Sequence, residues 1–176
     1  MTPDPQILFH PNIPKPLHGI SPRVVKGKAW WDEVRMKAYK KAEYRCEACG
    51  VSKDKADFHP WLEAHEVYDY DYEKCLLTFS HLVALCHSCH NYIHSGRMWS
   101  LLDSGEMDED KFKFIMQRGD ILVALFNKPL PVIIPASSWS KWRMSIDGKL
   151  YGPSAKSYVD WKNGEWKNWS CKEAEK

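Results

Sequence analysis

Apolar side chains recur at spacings of three and four at Trp31, Val34, Ala38 and Ala42, with Arg35, Lys37, Lys40 and Lys41 between them. That period is the one a helix presents along a single face, so it predicts an amphipathic helix with a basic outer side. Asp32 and Glu33 fall in its first turn, where the helix dipole favours negative charge. Further on, Trp61, Val67, Tyr68, Tyr70 and Tyr72 concentrate strand-favouring side chains. They predict an acidic hairpin arm near 61–70, with a partner strand near 76–80. Asp57, Glu63, Glu66, Asp69, Asp71 and Glu73 supply its charge, and no Lys or Arg interrupts them. Tyr92, Ile93, Met98, Leu101 and Leu102 predict a helix over 89–103, weakened in the middle by Gly96. Another is predicted from Asp108 to about Phe126, opening on acidic residues and closing before Pro129, with Gly119 placed to divide it. Near the end, Asp147-Gly148 between two apolar stretches reads as a hairpin turn.

Proline and charge divide the chain further. Pro3, Pro5, Pro11, Pro14, Pro16 and Pro22 predict an extended arm over 1–28, which turns basic at Lys15, Arg23, Lys26 and Lys28. Pro129, Pro131 and Pro135 mark a linker, so the expected division is 1–28, a core over 29–127, and a small aromatic accessory region over 128–176. A hydrophobic share of 44% and a charged share of 27% in 176 residues exclude full disorder and fibrous architectures. No apolar run approaches the roughly 20 residues a bilayer requires, so no membrane association is expected. No apolar block sits next to a cleavage site near the N-terminus, which predicts a cytoplasmic protein. A net charge of +2 carries no global polyanion signal, so any nucleic-acid footprint must be local.

Six cysteines in a reducing compartment direct attention to metal before disulfides. Cys46-Glu47-Ala48-Cys49 and Cys86-His87-Ser88-Cys89 form two C-x-x-C pairs. Each pair can wrap one side of a tetrahedral ion, and together they close a four-thiolate shell with no open position. The expected ion is therefore a structural zinc that joins the end of the first helix to the start of a later one. Cys75 and Cys171 are left without a role.

Between and after these pairs lie His65 in Leu-Glu-Ala-His-Glu-Val, His81 in Ser-His-Leu-Val, and His90 and His94 in Cys-His-Asn-Tyr-Ile-His. His90 and His94 are four apart and share one face of a helix, where both can reach a common ion. This order of cysteine pairs and histidines, over roughly residues 44–96, resembles the HNH endonucleases. The resemblance implies an α+β fold: a small, treble-clef-like ββα-metal core stapled by zinc and flanked by helices, with the N-terminal arm and the aromatic C-terminal region as extensions. It implies His65 as the general base that activates water and His90 as a ligand of a catalytic divalent cation such as Mg2+ or Mn2+, with His94 as a further ligand. It also implies cleavage to 5′ phosphate and 3′ hydroxyl ends, and small phage-type proteins as common relatives.

The family's middle position, usually Asn, is His81 here, and the position before the base is Ala64 rather than a metal-binding residue. Something else must then complete the ion's shell. Glu66 is adjacent to His65 but on the opposite face of a strand unless a bulge re-aims it. Glu63 shares the face of His65 but stands two residues back, and Asp69 or Asp71 are further alternatives. His10, His18, His59 and His87 read as solvated or hydrogen-bonded side chains, His87 shielding a sulfur of the zinc knuckle.

DNA is the expected partner, with RNA as a possibility and the oligomeric state open. Arg35, Lys37, Lys40, Lys41 and Arg45 can contact phosphates, with Lys26 and Lys28 just before them. In the tail, Trp139, Trp142, Trp161, Trp166 and Trp169 among Lys and Arg could stack bases, but building a small accessory core is the favoured reading. A catalytically inactive zinc module that binds nucleic acid or a protein is the alternative to the enzyme.

Overall fold

The structure, a computed structural model, describes residues 2–124 and 136–170. The proline linker at Pro129, Pro131 and Pro135, and Cys171, lie outside the described residues. The fold is α+β. Helix α1 spans Pro22–Lys41 and is divided at Gly27, whose φ of 84° and ψ of 172° are not helical. Strands β1 (Glu63–Asp71) and β2 (Leu76–Leu85) follow, then helices α2 (His87–Ile93), α3 (Ser95–Asp103) and α4 (Glu109–Val123). Strands β3 (Arg143–Ile146) and β4 (Lys149–Tyr151) and helix α5 (Tyr158–Lys162) complete the described elements. The sheet runs β1-β2-β3-β4; β2 pairs parallel with β3, Leu77 opposite Met144, and β3 pairs antiparallel with β4. Among the described residues no helix is long and apolar enough to cross a membrane.

The described residues gather into two compact units, one of residues 2–10, 35–65 and 82–124, the other of 11–34, 66–81 and 136–170. Each unit has its own buried core. In the second unit Leu17, Ile20, Tyr68, Leu77, Trp142, Met144, Ile146 and Tyr151 form that core. The aromatic tail thus supplies two strands and a fully buried Trp142 instead of a bare stacking surface. The Asp147-Gly148 turn forms as its residues require, with φ of 51° and 78° at its two central positions. Cys75 sits in the turn before β2, buried in the same core.

The proline-rich start, expected to be extended, contains helical turns. It carries two short 3-10 turns, Pro5–Phe9 and Lys15–Leu17, with Leu8 and Leu17 buried. The apolar residues between the prolines gain more from burial than from solvation, at roughly 25 cal/mol per Å2 of apolar surface.

In the first unit Pro5–Phe9 packs against α2 and α4, and Met98, Phe112 and Ile115 form a buried cluster under half-buried Tyr92, Leu102 and Met107. Asp108 caps α4 by accepting the Lys111 N–H at 2.9 Å. Gly119 does not divide α4. The ring of Tyr92 occupies the place its side chain would take, and the helix continues through it. The expected helix over 89–103 is instead two, and the break falls at His94 (φ −89°, ψ 34°) rather than at Gly96.

Candidate metal centre

The first unit brings the four paired cysteines together. Cys46 and Cys49 lie in the turn after α1, where the Cys46 N–H donates to the Val51 carbonyl at 2.8 Å and the Gly50 N–H to the Cys46 carbonyl at 2.8 Å. Cys86 immediately precedes α2 and Cys89 lies in its first turn. Glu47 joins the two pairs: its N–H donates to the Ala84 carbonyl at 2.8 Å, and its Oε1 accepts the Ala84 N–H at 2.7 Å.

All four sulfurs lie within 4.8 Å of one another, and Cys49 Sγ is 3.8 Å from Cys86 Sγ. Sulfurs at about 2.3 Å from a tetrahedral ion are separated by roughly 3.8 Å, so the donor set fits a metal ion. Hydrogen bonds from Cys46, Cys86 and Cys89 push the Cys49 thiol far down, and the Arg118 guanidinium donates to its sulfur at 3.8 Å.

Three histidines meet nearby. His65 on β1, His90 on α2 and His94 at the end of α2 offer one nitrogen each within 4.8 Å of one another. Ring centroids are 4.7 Å apart for His90–His94, 5.0 Å for His65–His94 and 5.5 Å for His65–His90. His65 is 3% exposed, and neither ring nitrogen has a hydrogen-bond partner among the described residues. Two unpaired nitrogens buried at this depth are costly unless something accepts their lone pairs. Burial, followed by repulsion from His10, His90 and His94, lowers the His65 pKa to about 2. Burial first, then His90, Arg97 and His10, lowers His94 to about 4. Both rings are therefore neutral at ordinary pH, the state in which imidazole binds a cation.

The carboxylate at this site is Glu63. Its Oε2 contacts His90 Nδ1, which leaves Nε2 of His90 as the nitrogen free for the group. Its Oε1 lies 2.7 Å from His87 Nδ1 and 3.0 Å from His59 Nε2. Burial alone would raise Glu63, but hydrogen bonds to His87 and His90 and their charge outweigh it and hold the carboxyl well below the usual range.

Among the expected residues, the four cysteines, His65, His90 and His94 converge, whereas Glu66 and His81 are not in these groups. The His81 side chain is exposed, with Nδ1 3.1 Å from Ser80 Oγ. Asp71 is engaged with Lys74 at 2.7 Å, and Asp69 is exposed. Glu63 was weighed as an alternative to Glu66, whereas His59, His87 and His10 were read only as solvated or hydrogen-bonded side chains; the His10 ring meets His65 edge-on with centroids 4.9 Å apart. Strand alternation already placed Glu63 on the face of His65. What spacing could not show is that α2 directs His90 toward Glu63. Compared with protein-family models, with curated proteins and with solved structures, the chain matches none.

Proposed function

We propose that this protein is a metal-dependent endonuclease of the HNH type that hydrolyses phosphodiester bonds in DNA, with a structural zinc on Cys46, Cys49, Cys86 and Cys89. The observation that carries the reading is the convergence of three histidine nitrogens, one of them on a buried and unpartnered ring, directly after the second cysteine pair. A divalent cation held by His65, His90 and His94 would polarise a phosphoryl oxygen, acidify water and stabilise charge on the leaving 3′ oxygen. His65 supports this as a ligand rather than as the proton acceptor first expected, since a ring with its pKa lowered to about 2 is a weak base and a good neutral donor. Glu63 fixes the orientation of His90 through Nδ1, in the manner of carboxylate–histidine–metal triads.

Lys37, Lys40, Lys41 and Arg45 are exposed in the same unit and supply sequence-independent phosphate contacts. Lys26 and Lys28 are engaged with Asp147 and Asp32 and are weaker candidates for this role. The test is incubation of supercoiled plasmid with the protein and Mg2+ or Mn2+. Relaxed or linear product from the parent, and none from His65→Ala or His94→Ala with DNA binding retained in a gel shift, is the expected result. Equal cleavage by parent and variants removes the assigned site, and a parent that shifts DNA without cutting it is an inactive zinc module.

A further inference from the structure

Beyond the cysteine shell and the three-histidine group, we propose a further binding site for a divalent d-block cation, formed by His59 Nε2, Glu63 Oε1 and His87 Nδ1. The three atoms are 3.0, 3.0 and 2.7 Å from one another around the triangle His59–Glu63, His59–His87, His87–Glu63. Each contact is at hydrogen-bond distance and so requires one proton between its two atoms. With Glu63 ionised, and each ring nitrogen able either to donate or to accept but not both, no assignment of protons achieves this. If both rings donate to Glu63, two N–H groups oppose each other across His59–His87. If His87 Nδ1 instead accepts from His59, its lone pair faces the carboxylate oxygen across 2.7 Å. One of the three contacts is therefore repulsive whenever Glu63 is ionised, whereas a single cation about 2.0–2.1 Å from each atom, above the plane of the triangle they form, meets all three lone pairs at once.

The surrounding residues hold the donors in place. The ring of His59 stacks face to face on Trp61, with centroids 3.8 Å apart and planes 1° from parallel. Phe58 meets the His87 ring edge-on at 5.4 Å. His59 and His87 come from a loop and a helix, and Glu63 from a strand, so their meeting is a product of the fold. Two imidazoles and one carboxylate suit zinc or cobalt better than magnesium or calcium, which prefer oxygen-only shells. Three protein donors also leave coordination positions for water or an anion. Because the other Glu63 oxygen contacts His90, an ion here draws on the same carboxylate that orients the three-histidine group. Occupancy of one site should change affinity at the other, and reciprocally. The site itself does not depend on the nuclease reading.

Zinc content of the full-length protein, measured by elemental analysis after saturation and dialysis, tests the proposal. His59→Ala and His87→Ala should each retain about one equivalent less than the parent. Cobalt-loaded parent should show a visible d–d band from nitrogen and oxygen ligation that both variants lose. The cadmium–thiolate absorbance of the cysteine shell serves as the folding control, and a variant that loses it is replaced by His59→Gln. Equal zinc content in the parent and in the variants that keep the thiolate band overturns the proposal. His94→Ala is run alongside: unchanged content there counts against the three-histidine group alone, so failure of one site is distinguishable from failure of the other.

Discussion

Gly119→Ala is a substitution whose sign the structure reverses. In the interior of α4, alanine is favoured over glycine by about 1 kcal/mol, so propensity predicts stabilisation. A Cβ at this position, however, would lie 2.0 Å from Tyr92 Cδ2 and 2.3 Å from Cε2 and Cγ. These are ring atoms, not a flexible tip, and forcing a methyl group into such a contact costs about 1–3 kcal/mol. Moving the ring also breaks the hydrogen bond from the Tyr92 hydroxyl to Asp120 Oδ1, 2.9 Å long and exposed, which is worth at most about 1 kcal/mol. The clash and the lost bond together offset or exceed propensity, leaving a net loss of up to about 3 kcal/mol. At about 2–4 °C per kcal/mol for a chain of this length, the melting temperature should fall by several degrees. Thermal unfolding of the zinc-loaded protein by circular dichroism measures it. In a Tyr92→Ala background the same change should become neutral or stabilising, because the ring is gone. A higher melting temperature for Gly119→Ala with Tyr92 in place would refute the steric argument. Tyr92 lies between His90 and His94 on α2, so a real displacement should also lower metal affinity at the histidine group.

Three further outcomes follow from the same geometry. Cys46→Ser should abolish tight zinc retention by the cysteine shell and lower the melting temperature sharply, since removing one thiolate breaks a closed site whose binding energy is on the order of 10 kcal/mol; elemental analysis and calorimetry read both effects. In the metal-free protein the His65 pKa is lowered to about 2 from its model-peptide value of 6.5, so between those limits the unfolded chain binds more protons than the folded one. Stability should be greatest above about pH 6.5 and decline as pH falls below it, and His65→Leu should flatten the urea-midpoint profile between pH 7 and 5. Finally, Lys40→Ala with Lys41→Ala should weaken DNA binding equally across sequences and reduce the salt slope by roughly 0.9 per lost phosphate contact, read by fluorescence anisotropy at several salt concentrations; an unchanged slope would place the DNA elsewhere.

Much of the metal shell was legible in the chain itself. Two C-x-x-C pairs need only local spacing to form half-shells, and the i,i+4 relation of His90 and His94 follows from helical period. The Asp147-Gly148 turn and the α4 cap are equally local, because their chemistry resides in adjacent residues. The choice between Glu63 and Glu66 was not legible. Alternation ranks their faces correctly, yet only the approach of α2 to β1 decides which carboxylate meets His90. His81 illustrates the converse, because a place in a motif does not determine where a strand side chain points.

Local periodicity and ligand spacing, then, determined from sequence alone that this chain builds helices, a hairpin and a four-sulfur shell, since each depends on residues close together along the backbone. Tertiary structure decided that the proline-rich start packs into cores, that the hairpin of the aromatic tail pairs with β2, and that Glu63 meets His87 and His90. Those outcomes depend on distances between segments far apart in the chain, which side-chain packing sets and no spacing rule encodes.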